Sequence, residues 1–300
     1  MSAGRPILLA GPTASGKSAV ALRLAEQYGG EIISVDSMQV YRGLDLGTAK
    51  PSAADRARVP HHLLDVAGLD ESFDAACFIR LARAAVAEIQ ARGRVPVLCG
   101  GTGFYFKAFL EGLGAAPPAE EKLRVELEAT PLAELLRELE ACDPAAFQKI
   151  DRQNPRRVVR AVEVIRLTGK PFSAQRTLHP PSTGTRLFCL RRESADLHAR
   201  IEARVDEMFQ RGLVAETRQL LACGLADNLT ALQAIGYRQV AEHLRGERSL
   251  AETIELVKIR TRQFARRQMT WFRRQAGVEW LAVAAEETAE ETAGRLSKLR

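Results

Sequence analysis

The chain has 300 residues, 46% of them hydrophobic, and a net charge of +6. That length allows one large domain or two modest ones with ample core. No apolar run reaches the roughly 18 residues of a membrane span, and the basic balance suits a polyanionic partner. The opening segment MSAGRPILLAG reads as a first strand rather than a signal peptide. Cys77, Cys99, Cys142, Cys189 and Cys223 form no CxxC clip, and their odd number argues against a disulfide framework. A reducing cytoplasm is the expected setting.

In chain order, residues 6–10 (PILLA) predict a strand that runs into GPTASGKS. Val20, Leu24 and Tyr28 then recur at helical spacing, with Gly29-Gly30 as a stop. Residues 31–35 (EIISV) predict a second strand ending at Asp36. Ser72 is the expected cap of a helix whose face carries Ile79, Ala82, Val86 and Ile89, and which ends near Gly93. Residues 95–99 (VPVLC) predict a third strand leading into Gly100-Gly101-Thr102-Gly103. From residue 114 the pattern turns helical, punctuated by Pro131, Asp143-Pro144 and Asn154-Pro155, up to a loop at 173–184. Residues 186–190 (RLFCL) predict another core strand, and the remaining third reads as helical: 196–211, 214–222, 237–245, 249–274 and a charged tail. The expectation is an α/β fold: a P-loop parallel sheet flanked by helices, residues 1–113 and 185–300, with a helical insertion domain over 114–184.

Gly11-Pro12-Thr13-Ala14-Ser15-Gly16-Lys17-Ser18 matches G-x-x-x-x-G-K-[ST] in full, between a predicted strand and a predicted helix. Such glycines let backbone amides turn inward around phosphate oxygens. Lys17 adds a point charge, Ser18 can hold a magnesium ion, and the helix presents its positive end. The motif specifies a diphosphate or triphosphate, but not which molecule. Asp36 stands at a strand's C-terminal end, where the ligand crevice of a parallel sheet lies. It suits a magnesium ligand or a general base, and equally a turn aspartate. The third strand ends in GGTG with no carboxylate, which disfavours ATP hydrolysis.

Residues 256–278 hold seven basic residues and no acidic one. On a helix, Arg260, Arg267 and Arg274 share a side with Phe264 and Trp271, while Lys258, Arg262, Arg266 and Arg273 lie roughly opposite. Charge on both sides points to a phosphate or acidic partner for some of them, against a plainly solvated face. His61-His62 has no third ligand nearby for a metal site. Two function classes fit these features by themselves: a P-loop kinase of a small metabolite or nucleoside, and an RNA-binding GTPase-like module. The last lacks any N-K-x-D segment.

The segments GPTASGKS, ISVDSMQVYRGLDLGTAKP, PHHLLDV, VLCGGTGFYFKAFLEGL, DPAAFQKIDRQNPRRVVRAVEVIRLTGKP, RIEARVDEM, ALQAIGYRQV and TRQFARRQMTWFRR run in order across nearly the whole chain. Together they resemble the bacterial tRNA dimethylallyltransferases. The resemblance implies transfer of a dimethylallyl group from dimethylallyl diphosphate to the exocyclic amine of the adenosine 3′-adjacent to the anticodon. It implies magnesium as cofactor, held near Ser18, the tRNA anticodon stem-loop as partner, and a cytoplasmic monomer off the membrane. It also implies Asp36 as the base and Thr102 as a positioning group. Lys17 and the loop amides would meet the leaving diphosphate, with Arg204, or its rival Arg200, as a further cation. The tRNA contacts it implies are Asp36, Ser37, Met38 and Gln39, then Thr102 and Arg124. They continue through Arg156, Arg157, Val158, Val159 and Arg160, and end with Gln233, Ala234, Ile235, Gly236, Tyr237 and Arg238. The stretch 128–132 is shorter than the family's usual insertion, and Cys99 replaces a smaller residue.

Overall fold

ILLA, EIISV and PVLCG show no alternation of buried and exposed residues because they are covered on both faces, as central parallel strands must be. The computed structural model describes residues 4–114, 116–175 and 186–299. It divides into two compact units: Met1–Phe109 with Gly184–Arg300, and Leu110–Thr183. The expected insertion began at 114, whereas the division falls inside the helix that follows GGTG. The expected loop at 173–184 lies mostly outside the described residues.

The first unit opens with β1 (Ile7–Ala10), α1 (Lys17–Tyr28), β2 (Glu31–Val35), α2 (Ala53–Arg58), β3 (His61–His62), α3 (Ala75–Ala91), β4 (Pro96–Gly100) and α4 (Gly103–Glu111). The second contains α5 (Glu121–Ala129), α6 (Leu132–Cys142), α7 (Pro144–Lys149) and α8 (Pro155–Thr168). The chain then returns to the first unit with β5 (Leu187–Arg191), α9 (Ser194–Gln210), α10 (Leu213–Ala222), α11 (Tyr237–Leu244), α12 (Leu250–Arg273), β6 (Val278–Ala282) and α13 (Ala289–Leu299). The six strands form one sheet in the order β3-β2-β4-β1-β5-β6, every pairing parallel. Ala10 of β1 and Val35 of β2 both pair with Gly100 of β4. The three loops that follow these strands therefore leave the sheet at one level.

Two strands were absent from the sequence reading. β3 is only His61–His62, fixed by pairing with Ile32 and Ile33. β6 follows α12 and covers β5 as an edge strand. The cap of α3 is Asp74, whose carboxylate accepts from the Cys77 amide, rather than the exposed Ser72. Its buried face is Phe78, Ala82, Ala85 and Ile89, with Ile79 and Val86 at the margin. In the second unit, Leu127, Leu135, Leu139, Val158 and Val162 form a separate apolar core. Among the described residues, no helix is long and apolar enough to cross a membrane.

Candidate active site

The loop after β1 turns tightly: the Ser15 amide donates to Pro12 O at 3.3 Å, and Ala14 and Gly16 take positive φ of 62° and 91°. Gly16 adopts this backbone without penalty, while at Ala14 it is a local strain. The Val20 amide donates to Gly16 O, so α1 begins directly at the loop. Lys17 folds back over its own loop and donates from Nζ to Pro12 O at 3.1 Å. Burial holds its ammonium below the ordinary lysine value; the nearby Arg204 adds to this, and Asp36 opposes it. Beneath the loop, burial pushes the Cys99 thiol up to about 12, so it stays protonated and donates to Lys17 O.

Two arginines one helical turn apart on α9 reach the loop. Arg200 donates from Nε to Ala14 O at 3.0 Å, and Arg204 from Nη1 to Thr13 Oγ1 at 3.3 Å. Both sequence alternatives therefore touch the loop, one at its backbone and one at a side chain. Burial lowers the Arg204 guanidinium from its ordinary value, with Asp36 opposing and Arg200 adding. Desolvated like charges held this close favour an anion between them. A cavity of about 660 Å³ lies beside the loop, lined among others by Lys17, Ser18, Lys50, Arg58, Arg200 and Arg204.

Asp36 leaves β2 beside this loop. Its Oδ1 accepts from the Met38 amide at 2.8 Å and the Gln39 amide at 3.3 Å, so one carboxylate oxygen forms the turn that the sequence allowed. Thr102 Oγ1 accepts from the Ser37 amide at 3.1 Å, and the Thr102 amide donates to Val35 O, which ties the GGTG loop to the Asp36 turn. The GGTG glycines are needed for close approach. A Cβ on Gly100 would lie 2.0 Å from Val35 O, and one on Gly103 2.1 Å from the Trp271 ring.

Two supporting residues escaped the sequence reading. Gln268 of α12 accepts from the Thr13 amide and donates to Gly101 O, both at 2.9 Å, so it staples the P-loop to the GGTG loop. Its signal was a polar residue on the face that carries buried Ala265, Met269 and Phe272. Arg192, directly after β5, donates from Nε to Ser15 O at 2.9 Å. The strand-end logic that singled out Asp36 applies to it equally.

The expected RNA contacts sort differently from the way their contiguous motifs suggested. Gln39 uses its side chain internally, accepting from Ser34 and donating to Thr48 O and Ala49 O. Ala234, Gly236 and Tyr237 are buried, and the Tyr237 hydroxyl donates to Glu216 and accepts from the Gly47 amide. These three side chains are packed inside the first unit, whereas Gln233 and Arg238 are exposed and Ile235 is half-buried. In the second unit Val158 and Val159 are core residues. Arg124 and Arg160 both pair with the fully buried Glu163, at 2.6 and 2.5 Å. Arg156 and Arg157 stand exposed on the first turn of α8, behind the Asn154 cap. On α12, the acidic partner foreseen for part of the arginine cluster is α9: Lys258 pairs with Asp206 at 2.8 Å and Arg262 with Glu202 at 2.9 Å. Arg266 and Arg273 line a second cavity of about 610 Å³. The His pair is structural, His62 bonded to Glu31 and His61 to Val59 O.

The model of the IPP transferase family matches residues 39–275, a span that begins after the P-loop and Asp36. A tRNA dimethylallyltransferase of Citrifermentans bemidjiense is 46% identical over 278 residues, covering 92% of this chain and 91% of its own. The structure of a full-length tRNA isopentenylpyrophosphate transferase from Bacillus halodurans superposes with a TM-score of 0.72 at 38% identity, covering 99% of this chain and 95% of that one. A eukaryotic dimethylallyltransferase captured acting on tRNA superposes with a TM-score of 0.84 at 27% identity, covering 98% of this chain and 77% of that one. None of these supports the kinase alternative. With the sheet order, the P-loop and the Asp36–GGTG pairing of loops, they place the chain in the IPP transferase family.

Proposed function

We propose that this protein transfers the dimethylallyl group of dimethylallyl diphosphate to the exocyclic amine of the adenosine 3′-adjacent to the anticodon of tRNA, releasing diphosphate in the cytoplasm. The observation that carries this reading is the common level at which β1, β2 and β4 end. It sets a phosphate cradle, a carboxylate and a hydroxyl side by side. An adenine amine is a weak nucleophile, so the reaction needs a leaving group whose growing charge is met in advance. Lys17, Arg204 and the loop amides meet it here. As the N–C bond forms and the C–O bond to diphosphate breaks, the amine proton passes to Asp36, whose Oδ2 is not used in the turn. Thr102 accepts from Ser37, which leaves its hydroxyl hydrogen to orient the base. The target nucleotide leaves its stack to enter the site.

Magnesium fits the donor set. Ser18 is exposed at the head of α1, where its hydroxyl can share an ion with substrate phosphates. Bound there, it would supply charge neutralisation to the leaving diphosphate.

The test incubates the protein with unmodified tRNA, magnesium and dimethylallyl diphosphate labelled in its carbon chain. The expected result is label in tRNA at the anticodon-adjacent adenosine, with diphosphate released. Label remaining in the free donor, under conditions where the protein binds both substrates, removes the reading.

A further inference from the structure

Arg192 has no role in the chemistry above, yet its side chain is 5% exposed and packed against the phosphate loop. Its Nε donates to Ser15 O at 2.9 Å, and its Nη1 donates to Asp196 at 2.8 Å and to Ala284 O at 2.9 Å. Its Nη2 lies 3.6 Å from where a Gly16 side chain would begin. The guanidinium thus lies against the back of the loop, with Asp196 and the chain after β6 fixing its plane. The Ser15 carbonyl and the Gly16 N–H belong to one peptide, and no cis peptide occurs among the described residues. In a planar trans peptide these two groups point in opposite directions. Holding the carbonyl outward therefore aims the Gly16 amide at the concave side of the loop, where an anion is bound.

We propose that Arg192 is a positioning residue for the diphosphate: clamped by Asp196, it fixes the Ser15–Gly16 peptide so that the Gly16 N–H faces the leaving group. This rests on the diphosphate reading of the loop given above. Arg200 holds the preceding carbonyl, Ala14 O, but it also lines the cavity beside Lys17. Arg192 lies outside that cavity and lines instead the second one with Arg266 and Arg273, so toward the phosphate loop it acts through the peptide it holds. Only a planar fork can satisfy Ser15, Asp196 and Ala284 together, which a lysine cannot do.

The experiment measures inorganic diphosphate affinity with magnesium, KM and kcat for dimethylallyl diphosphate, tRNA affinity and thermal stability for the wild type, R192M, R192K and D196N. R192M and R192K are expected to weaken diphosphate binding and raise KM about tenfold. D196N shifts both in the same direction by less. tRNA affinity stays at the wild-type value in all three, and kcat at saturating donor falls less than KM rises. Unchanged diphosphate affinity in folded R192M overturns the proposal. So does R192K at wild-type affinity, which reduces Arg192 to a point charge, or an equal loss of tRNA affinity, which reduces it to general scaffolding. Should R192M not fold, R192K and D196N decide by the same readings. Because diphosphate binding is scored apart from turnover, a wild type that binds diphosphate but transfers no prenyl group fails the functional reading and leaves the Arg192 comparison intact.

Discussion

Asp36 uses one oxygen for the turn and leaves the other out of it, which makes its substitution a clean test of the proposed base. An asparagine keeps an Oδ1 acceptor for the Met38 and Gln39 amides, so the turn survives while the base is lost. D36N is expected to lower kcat by about a hundredfold to ten-thousandfold, the range of a positioned general base, with tRNA affinity unchanged. Single-turnover transfer and a tRNA titration check it, and near-normal turnover would remove Asp36 as the base. Lys17 carries a second prediction. Burial first, then Arg204, lower its pKa, and an anion in the loop favours the charged ammonium. Diphosphate affinity should therefore fall as pH rises through the depressed Lys17 value, seen by calorimetry between about pH 7 and about pH 10. A flat profile would mean that Lys17 does not meet the anion.

The insertion shows how elements redistribute what a motif places in one run. Residues 156–160 read as one RNA-binding segment, but a helix turns 3.6 residues per cycle. Successive side chains of α8 therefore go to solvent at Arg156 and Arg157 and to the core at Val158 and Val159, and Arg160 goes to the Glu163 pair. Residues 233–238 divide for another reason: they are the bend between a short turn ending at Gln233 and the start of α11, which buries Ala234, Gly236 and Tyr237 and leaves Gln233 and Arg238 exposed. Strand-ends and glycine loops were legible because each carries its geometry in consecutive residues: the P-loop, Asp36 and GGTG are all of this kind. β3 was not legible, since two histidines become a strand only by pairing with Ile32 and Ile33. Nor was the Gln268 staple, since it joins residues 255 positions apart. For α8 the consequence is a divided prediction. E163Q removes the buried charge that Arg124 and Arg160 share, and should cost about 3 kcal/mol in urea denaturation of the helical unit. R157A should leave stability unchanged and lower the salt slope of tRNA binding by about one. If E163Q melts like the wild type, the pair is not a structural one.

Across the whole sheet, the two ends of the strands carry different burdens. The C-terminal ends hold the cradle, Asp36 and Thr102, where desolvated like charges and a strained Ala14 make the fold less stable than it could be. At the N-terminal ends, Glu31 opens β2 with a side chain only 3% exposed. It accepts from Arg92 at 2.7 and 3.2 Å, from Arg94 at 3.3 Å and pairs with His62 at 2.6 Å, joining β2, β3 and the turn into β4. Burial alone would raise its pKa; hydrogen bonds from Arg92 and His62 outweigh that and hold the carboxyl below the usual value. A depressed carboxylate contributes stability that is complete above the unfolded value, near pH 4.3, and is lost as pH falls through the folded one. The wild type should therefore lose stability steeply below about pH 4.3. E31Q should be less stable at neutral pH by about 3 kcal/mol and lose less on acidification, because the paired charge is already gone. Its kcat at neutral pH should match the wild type, since no loop of the site touches Glu31. Denaturation curves across pH, set beside neutral transfer rates, separate the two ends. A stable E31Q that lost activity would show that the N-terminal end of the sheet also shapes the cradle.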